Sequence, residues 1–102
     1  YSCFFGTDLA ILLKGLKIDT LVICGFLTDV CVHYTCADAH QHDYYVRVVR
    51  DAVRGSSEEA HHASLNSIQY LQRDALTDSE EVMEWLQSQS GVSEIKSNRG
   101  QR

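Results

Sequence analysis

Thr20-Leu-Val-Ile-Cys-Gly-Phe-Leu-Thr-Asp-Val-Cys-Val-His-Tyr-Thr35 is the stretch that decides the fold, because it carries an apolar strand directly into a helix. Its Leu-Val-Ile-Cys core is apolar throughout, which is typical of a strand covered on both faces in a parallel sheet. Cys31 falls in the first turn of the helix, where unpaired backbone N–H groups and the positive end of the helix dipole favour a thiolate. The pattern therefore marks Cys31 as a candidate nucleophile.

Helices and strands alternate on both sides of this stretch. Helices are indicated by capping residues and by apolar residues that recur near the helical period, and strands by short apolar or β-branched runs. In chain order we predict a helix from Thr7 to about Lys17, a strand from Ile18 to Gly25, a helix from about Asp29 to about His42, a strand from Tyr44 to Val49, a loop over residues 51–55, a helix opened by Ser56-x-x-Glu59, a short strand around Ala75-Leu76 and a helix opened by Thr77-x-x-Glu80. This order predicts an α/β fold with a doubly wound parallel sheet.

The length of the chain is small for such a fold. A sheet with helices on both faces usually needs more than the 102 residues present here, and the motifs begin at Tyr1 without an initiator Met. We therefore interpret residues 1–89 as the C-terminal part of a longer domain. Residues 90–102 show no periodicity and are predicted to be a disordered tail.

Composition excludes several classes of function. The net charge of −5 argues against a nucleic-acid partner, since phosphate binding needs a basic face. The longest apolar run is too short to span a bilayer, and no segment has the layout of a targeting peptide. We expect a soluble, cytoplasmic protein with no membrane or nucleic-acid partner.

The cysteine spacing predicts reduced thiols. Cys3, Cys24, Cys31 and Cys36 form neither a Cys-x-x-Cys pair nor a paired zinc pattern. Cys24 lies within the apolar strand and is predicted to be a small buried hydrophobe, and Cys36 is predicted to pack. A buried, inert thiol is the ordinary fate of a cysteine in an apolar helix, so the nucleophile hypothesis for Cys31 depends on the motif around it.

That motif resembles a known family. The matching segments are Tyr1-Ser-Cys-Phe-Phe-Gly-Thr-Asp-Leu9, Ile18-Asp-Thr-Leu-Val22, Gly25-Phe-Leu-Thr-Asp-Val-Cys-Val32, Thr35 and Asp38-Ala39. In order and spacing, residues 1–86 resemble the C-terminal half of an isochorismatase-like cysteine hydrolase. This family has a three-layer, Rossmann-like α/β fold and includes nicotinamidases, N-carbamoylsarcosine amidases, ureidoacrylate and biuret amidohydrolases, and isochorismatases.

The resemblance implies a mechanism for Cys31. The thiol would attack an amide or ureido carbonyl and give a thioester that water hydrolyses. The oxyanion hole would consist of the backbone N–H groups of Leu27 and Cys31, next to a cis peptide bond between Phe26 and Leu27. Leu27 replaces the small residue, often Ala, that is usual there. The family's catalytic Asp and Lys, and the metal site of nicotinamidases, would precede Tyr1, so we assign no metal and no cofactor.

The resemblance also implies partners and leaves alternatives. The expected partners are a small amide or ureido substrate, the N-terminal half of the domain and further copies in a homo-oligomer. One alternative is a non-catalytic α/β binding or assembly module. Another is an isochorismatase-type vinyl-ether hydrolase, although some of those homologues lack the cysteine that this chain has at position 31.

Other polar and aromatic residues near the motif have competing interpretations. Phe4 and Phe5 could form walls of the substrate pocket, but aromatic residues before a helix more often pack in the core. Tyr34 could reach the mouth of the site or a subunit contact. Asp29 could act on Cys31, but a carboxylate in a first helical turn is more often a cap. Surface or supporting roles outweigh metal binding for the histidines, which are His33, His40, His42, His61 and His62.

Overall fold

The computed structural model describes residues 1–89 and confirms the predicted α/β class. In chain order its elements are α1 (Leu9–Gly15), β1 (Thr20–Phe26), a π-helical turn (Thr28–Val32), α2 (His33–Gln41), β2 (Tyr45–Arg54), α3 (Glu58–Leu71), β3 (Leu76–Thr77) and α4 (Ser79–Ser88). The tail predicted over residues 90–102 lies outside the described residues. Within residues 1–89, no helix combines the length and the apolar character that crossing a bilayer would need.

The three strands form one parallel sheet in the order β1-β2-β3. Thr20 pairs with Tyr45 at the start of β1, and the register shifts between Ile23 and Gly25, so that Gly25 pairs with Val53. Gly25 has a φ of +115°, a conformation that glycine adopts without the steric cost of a Cβ. The shift places extra residues on β2, as in a β-bulge, and it carries the pairing to the carboxyl ends of both strands.

The core lies on the face of the sheet that α2 and α3 cover. Its buried members come from β2, these two helices, the π-helical turn and the segments before α1, β2 and β3: Phe4, Val32, Cys36, Ala39, Tyr44, Val46, Val48, Leu65, Ile68 and Ala75. Leu9 and Leu13 of α1 pack against them. On β2, Val49 alternates to the opposite face and is buried as well, and α4 contacts this strand.

The prediction that β1 is covered on both faces is wrong for the described residues. Leu21 and Ile23 pack against the core, but Val22 is 49% exposed and Phe26 is 75% exposed on the other face. Cys24 lies on that same face and is exposed, which corrects its predicted burial. The apolar run is compatible with burial of both faces of the strand. In the described residues only one face of β1 is packed, and β1 is an edge strand of this sheet.

The predicted loop over residues 51–55 is also wrong, because β2 continues to Arg54. Phe26 of β1 pairs with Arg54, and this long-range pairing extends a strand whose own sequence turns polar at Asp51.

The predicted helix starts are shifted by one residue. Ser57, and not Ser56, caps α3, since its Oγ accepts a hydrogen bond from the Ala60 N–H at 3.1 Å. Asp78, and not Thr77, caps α4 by accepting from the Glu81 N–H at 2.9 Å. The residue before α1 is Asp8, but it makes no side-chain capping bond; the Oγ1 of Thr7 accepts from the Leu9 N–H at 3.3 Å, as its predicted capping role requires. At α3 and α4 a second polar residue beside the predicted one takes the capping position.

The capping serine of α3 gives a test of this assignment. We expect Ser57→Ala to lower the free energy of unfolding by about 1 kcal/mol, because an N–H group of the first helical turn loses its acceptor. Ser67→Ala, at an exposed position within the same helix, should be neutral or slightly stabilising, because Ala is the better helix former. Urea unfolding followed by circular dichroism measures both. A Ser57→Ala variant as stable as Ser67→Ala would contradict the cap.

Candidate active site

Cys31 lies in the π-helical turn Thr28–Val32, called here the Cys31 turn, which joins β1 to α2. The N–H groups of Val30 and Val32 both donate to the Leu27 carbonyl, each at 3.1 Å. The Phe26–Leu27 peptide bond before the turn is cis. Cys31 itself is half-buried. The turn therefore holds the thiol at the carboxyl end of a parallel strand, where α/β folds commonly bind ligands.

Asp29 ties the Cys31 turn to the β2–α3 loop, residues 55–57. Its Oδ1 accepts from the Ser56 N–H at 2.8 Å, and its Oδ2 accepts from the Ser56 hydroxyl. These two bonds, the side-chain bond first, lower the pKa of Asp29 below its ordinary value of 3.8. The carboxylate is therefore ionised near neutral pH and engaged with the loop, whereas the sequence favoured a cap on its own helix.

Thr28 makes a second link, which joins the Cys31 turn to α3. Its side chain is 0% exposed, and its Oγ1 lies 2.8 Å from Nδ1 of His61 in the first turn of α3. Gly55 makes this approach possible, because a Cβ on it would lie 2.7 Å from the His61 Cβ and 3.1 Å from the Asp29 Oδ1. The Cys31 turn is thus held at two consecutive residues, Thr28 by α3 and Asp29 by the β2–α3 loop. Glycine at position 55 lets this loop pass close to both links.

A groove of about 550 Å³ opens beside these links, at the carboxyl ends of β1 and β2. Its walls are Phe26, residues 51–58 and His61. Cys31 is not among the lining residues, but Ser56 and His61 are, and these two residues hold the Cys31 turn. The groove therefore adjoins the candidate nucleophile through the residues that support its turn.

The four thiols have different environments. All are free, and Cys36 is buried as the sequence predicts. Burial raises the pKa of the Cys36 thiol to about 12, so this thiol stays protonated and unreactive at neutral pH. Cys3 and Cys24 are exposed.

The aromatic candidates for a substrate pocket do not gather around Cys31 as a group. Phe4 is buried in the core, where its ring lies 5.2 Å from that of His42, and this placement favours the packing role. Phe5 is 84% exposed. Tyr34 is 53% exposed and stacks on Tyr1, with the ring centroids 6.4 Å apart. A pocket role for Phe5 and Tyr34 stays a prediction.

The histidines do not form a metal site in the part of the chain that the structure describes. Across residues 1–89, no three His, Cys, Asp or Glu side chains group in a way that could hold a metal ion. Nδ1 of His40 lies 2.9 Å from Nε2 of Gln72, and His62 lies 3.4 Å from Glu58. These residues do not fit a metal, and we derive no chemical step through one.

Sequence comparison adds the relatives of this chain. The isochorismatase domain family matches residues 1–81. A maleamate amidohydrolase of Pseudomonas putida is 34% identical over 90 residues, which cover 88% of this chain and 42% of that enzyme. A nicotinamidase of Escherichia coli K12 is 41% identical over 61 residues, which cover 54% of this chain and 29% of that enzyme.

Solved structures agree with the sequence matches. The crystal structure of a pyrazinamidase/nicotinamidase from Streptococcus mutans superposes with a TM-score of 0.72 at 42% identity, covering 76% of this chain and 42% of that one. The chain spans less than half the length of the curated relatives that it matches. Since the family match runs from the first residue through the Cys31 turn to the start of α4, the chain belongs to the isochorismatase family.

Proposed function

We propose that this chain is the cysteine-bearing part of a hydrolase that cleaves a C–N bond of a small amide, carbamoyl or ureido compound. The observation that carries the proposal is the position of Cys31, in a doubly tied turn at the carboxyl end of β1 and at the start of a helical segment. The relatives include a maleamate amidohydrolase and a nicotinamidase, so amide hydrolysis is the chemistry that the family membership favours.

In the proposed reaction, the Cys31 thiolate attacks the carbonyl carbon and the C–N bond breaks. The nitrogen leaves as ammonia or an amine after it takes up a proton, and the acyl group remains as a thioester on Cys31. Water then attacks the thioester, which releases the carboxylic or carbamic acid and restores the thiol. The backbone N–H groups of Leu27 and Cys31 would stabilise the oxyanion in both steps.

The acid–base groups of this reaction are proposed to come from a segment that precedes Tyr1. Asp29 is the carboxylate nearest to Cys31 along the chain, but both of its oxygens accept hydrogen bonds from Ser56. It is therefore poorly placed to take a proton from the thiol. Val22 and Phe26 leave an apolar face of β1 exposed, and this exposure supports the proposal that further elements of the domain cover it.

The position of β1 at an edge of the sheet supports a second candidate function, a non-catalytic assembly module that pairs through β1. The reactivity of Cys31 separates the two functions, because an assembly module has no need of an activated thiol. A vinyl-ether hydrolase of the isochorismatase type is a further alternative, and product analysis distinguishes it, since cleavage of an ether releases no ammonia.

The first test removes the proposed nucleophile from the complete domain, meaning this chain joined to the segment that precedes Tyr1 in its gene. We expect Cys31→Ser to lower ammonia release from amide or ureido substrates by at least about a thousandfold, because the hydroxyl is a far weaker nucleophile in a site built for a thiolate. Cys3→Ser, at an exposed position before α1 and away from the exposed face of β1, is the matched control and should retain activity. Equal rates for the two variants would rule out the cysteine mechanism.

The second test measures thiol reactivity by iodoacetamide labelling and peptide mass mapping near pH 7. In the complete domain we expect Cys31 to label fastest, because it alone lies at the start of a helical segment. Cys36 should label slowest, because burial raises the pKa of its thiol to about 12. Faster labelling of Cys3 or Cys24 than of Cys31 in that domain would contradict the assignment.

The third test asks whether the 102-residue chain acts alone. We expect negligible hydrolysis, because no base is present to take the proton of the attacking thiol and the leaving nitrogen lacks a proton donor. Mixing the chain with a polypeptide that carries the preceding segment should restore ammonia release that depends on Cys31. Full activity of the chain by itself, unchanged by Cys31→Ser, would overturn both the mechanism and the proposed division of the site.

A further inference from the structure

His61 stands at the junction of the Cys31 turn, the β2–α3 loop and the groove. Its Nδ1 lies 2.8 Å from the Oγ1 of Thr28, the residue that opens the turn three positions before Cys31. The Thr28 side chain is 0% exposed, so water cannot replace this partner without an opening of the structure. Loss of His61 would leave a buried hydroxyl with the full cost of its desolvation.

The neighbouring link through Asp29 differs in kind. Both Asp29–Ser56 bonds are exposed, whereas the Thr28–His61 bond is partly buried. Water competes for an exposed hydrogen bond, and a bond in a low-dielectric setting is both stronger and harder to replace. Of the two links, the one through His61 therefore constrains the Cys31 turn more.

The position of His61 is itself tightly set. A Cβ on Gly55 would come within 2.7 Å of the His61 Cβ and 2.9 Å of its Cα, so the backbone of the loop lies directly against this residue. His62, the next residue, has no such setting: its side chain is largely exposed and pairs with Glu58 at 3.4 Å. The two adjacent histidines thus provide a supporting residue and a matched control.

We propose that His61 is a positioning residue for Cys31, which fixes the nucleophile's turn through the hydrogen bond to Thr28. It acts through Thr28 and not on the substrate. The proposal rests on the proposed role of Cys31 as the nucleophile. The reactivity of the Cys31 thiol can nevertheless be measured without any substrate, so the two proposals can fail separately.

The test compares the rate constant for iodoacetamide alkylation of Cys31 among variants of the complete domain. We expect His61→Leu and Thr28→Val each to lower it roughly tenfold, because the turn that holds the thiol loses a buried hydrogen bond and is no longer fixed in one conformation. The double variant should lose no more than either single one, since both remove the same bond. His61→Asn can keep an amide atom near the former Nδ1 and should stay within about twofold of wild type, as should His62→Leu.

The kinetic constants kcat and KM on an amide substrate distinguish a positioning role from a merely structural one. For His61→Leu we expect kcat to fall in parallel with the alkylation rate while KM stays within about twofold, because the turn and not substrate binding is disturbed. Circular dichroism establishes that each variant is folded.

A folded His61→Leu variant that alkylates at the wild-type rate would overturn the proposal, as would additive losses in the double variant. If His61→Leu does not fold, Thr28→Val and Thr28→Ser decide, because Ser keeps the hydroxyl and Val does not: equal alkylation rates would overturn it. Should Cys31→Ser leave hydrolysis intact while these alkylation effects appear, the proposed function fails and the positioning role of His61 stands.

Discussion

Parallel pairing of β1 with β2 is the constraint on which the rest of the site depends. The pairing begins at Thr20 opposite Tyr45 and, after the register shift that follows Ile23, ends with Phe26 opposite Arg54. Both strands therefore finish at the same edge of the sheet. The two connections that leave this edge meet there, and the bonds of Thr28 to α3 and of Asp29 to the β2–α3 loop follow from that meeting.

The sequence predicts the class of fold because local signals carry it. Apolar runs mark β1 and β2, and helical periodicity marks the helices between them. The extension of β2 to Arg54 could not be predicted in the same way, because Asp51-Ala-Val-Arg54 reads as a polar loop and becomes a strand only by pairing with Gly25 and Phe26. Long-range pairing overrides local propensity at this point.

In the candidate site, too, local sequence predicts some features while others depend on long-range contacts. Cys31 could be selected as a candidate from the motif around it, and Leu27 from the family that this motif resembles. The partners of that turn could not, because Ser56 and His61 are about thirty positions away along the chain. Two serines in succession and two histidines in succession carry no local signal that says which one turns inward. The exposure of Cys24 was missed for a related reason, since an apolar run does not report which faces of its strand are covered by other elements.

The bond between Thr28 and His61 lies entirely within one strand–helix–strand–helix unit, from Thr20 at the start of β1 to Leu71 at the end of α3. The proposed nucleophile and the groups that hold its turn therefore lie within one continuous stretch of the sequence. A recombination event that moved this stretch would transfer the Cys31 turn intact, with its supports already matched to it. Under the proposed division of the site, the acid–base groups lie outside this unit. They could therefore change during evolution while the hydrogen bonds that hold the Cys31 turn are retained.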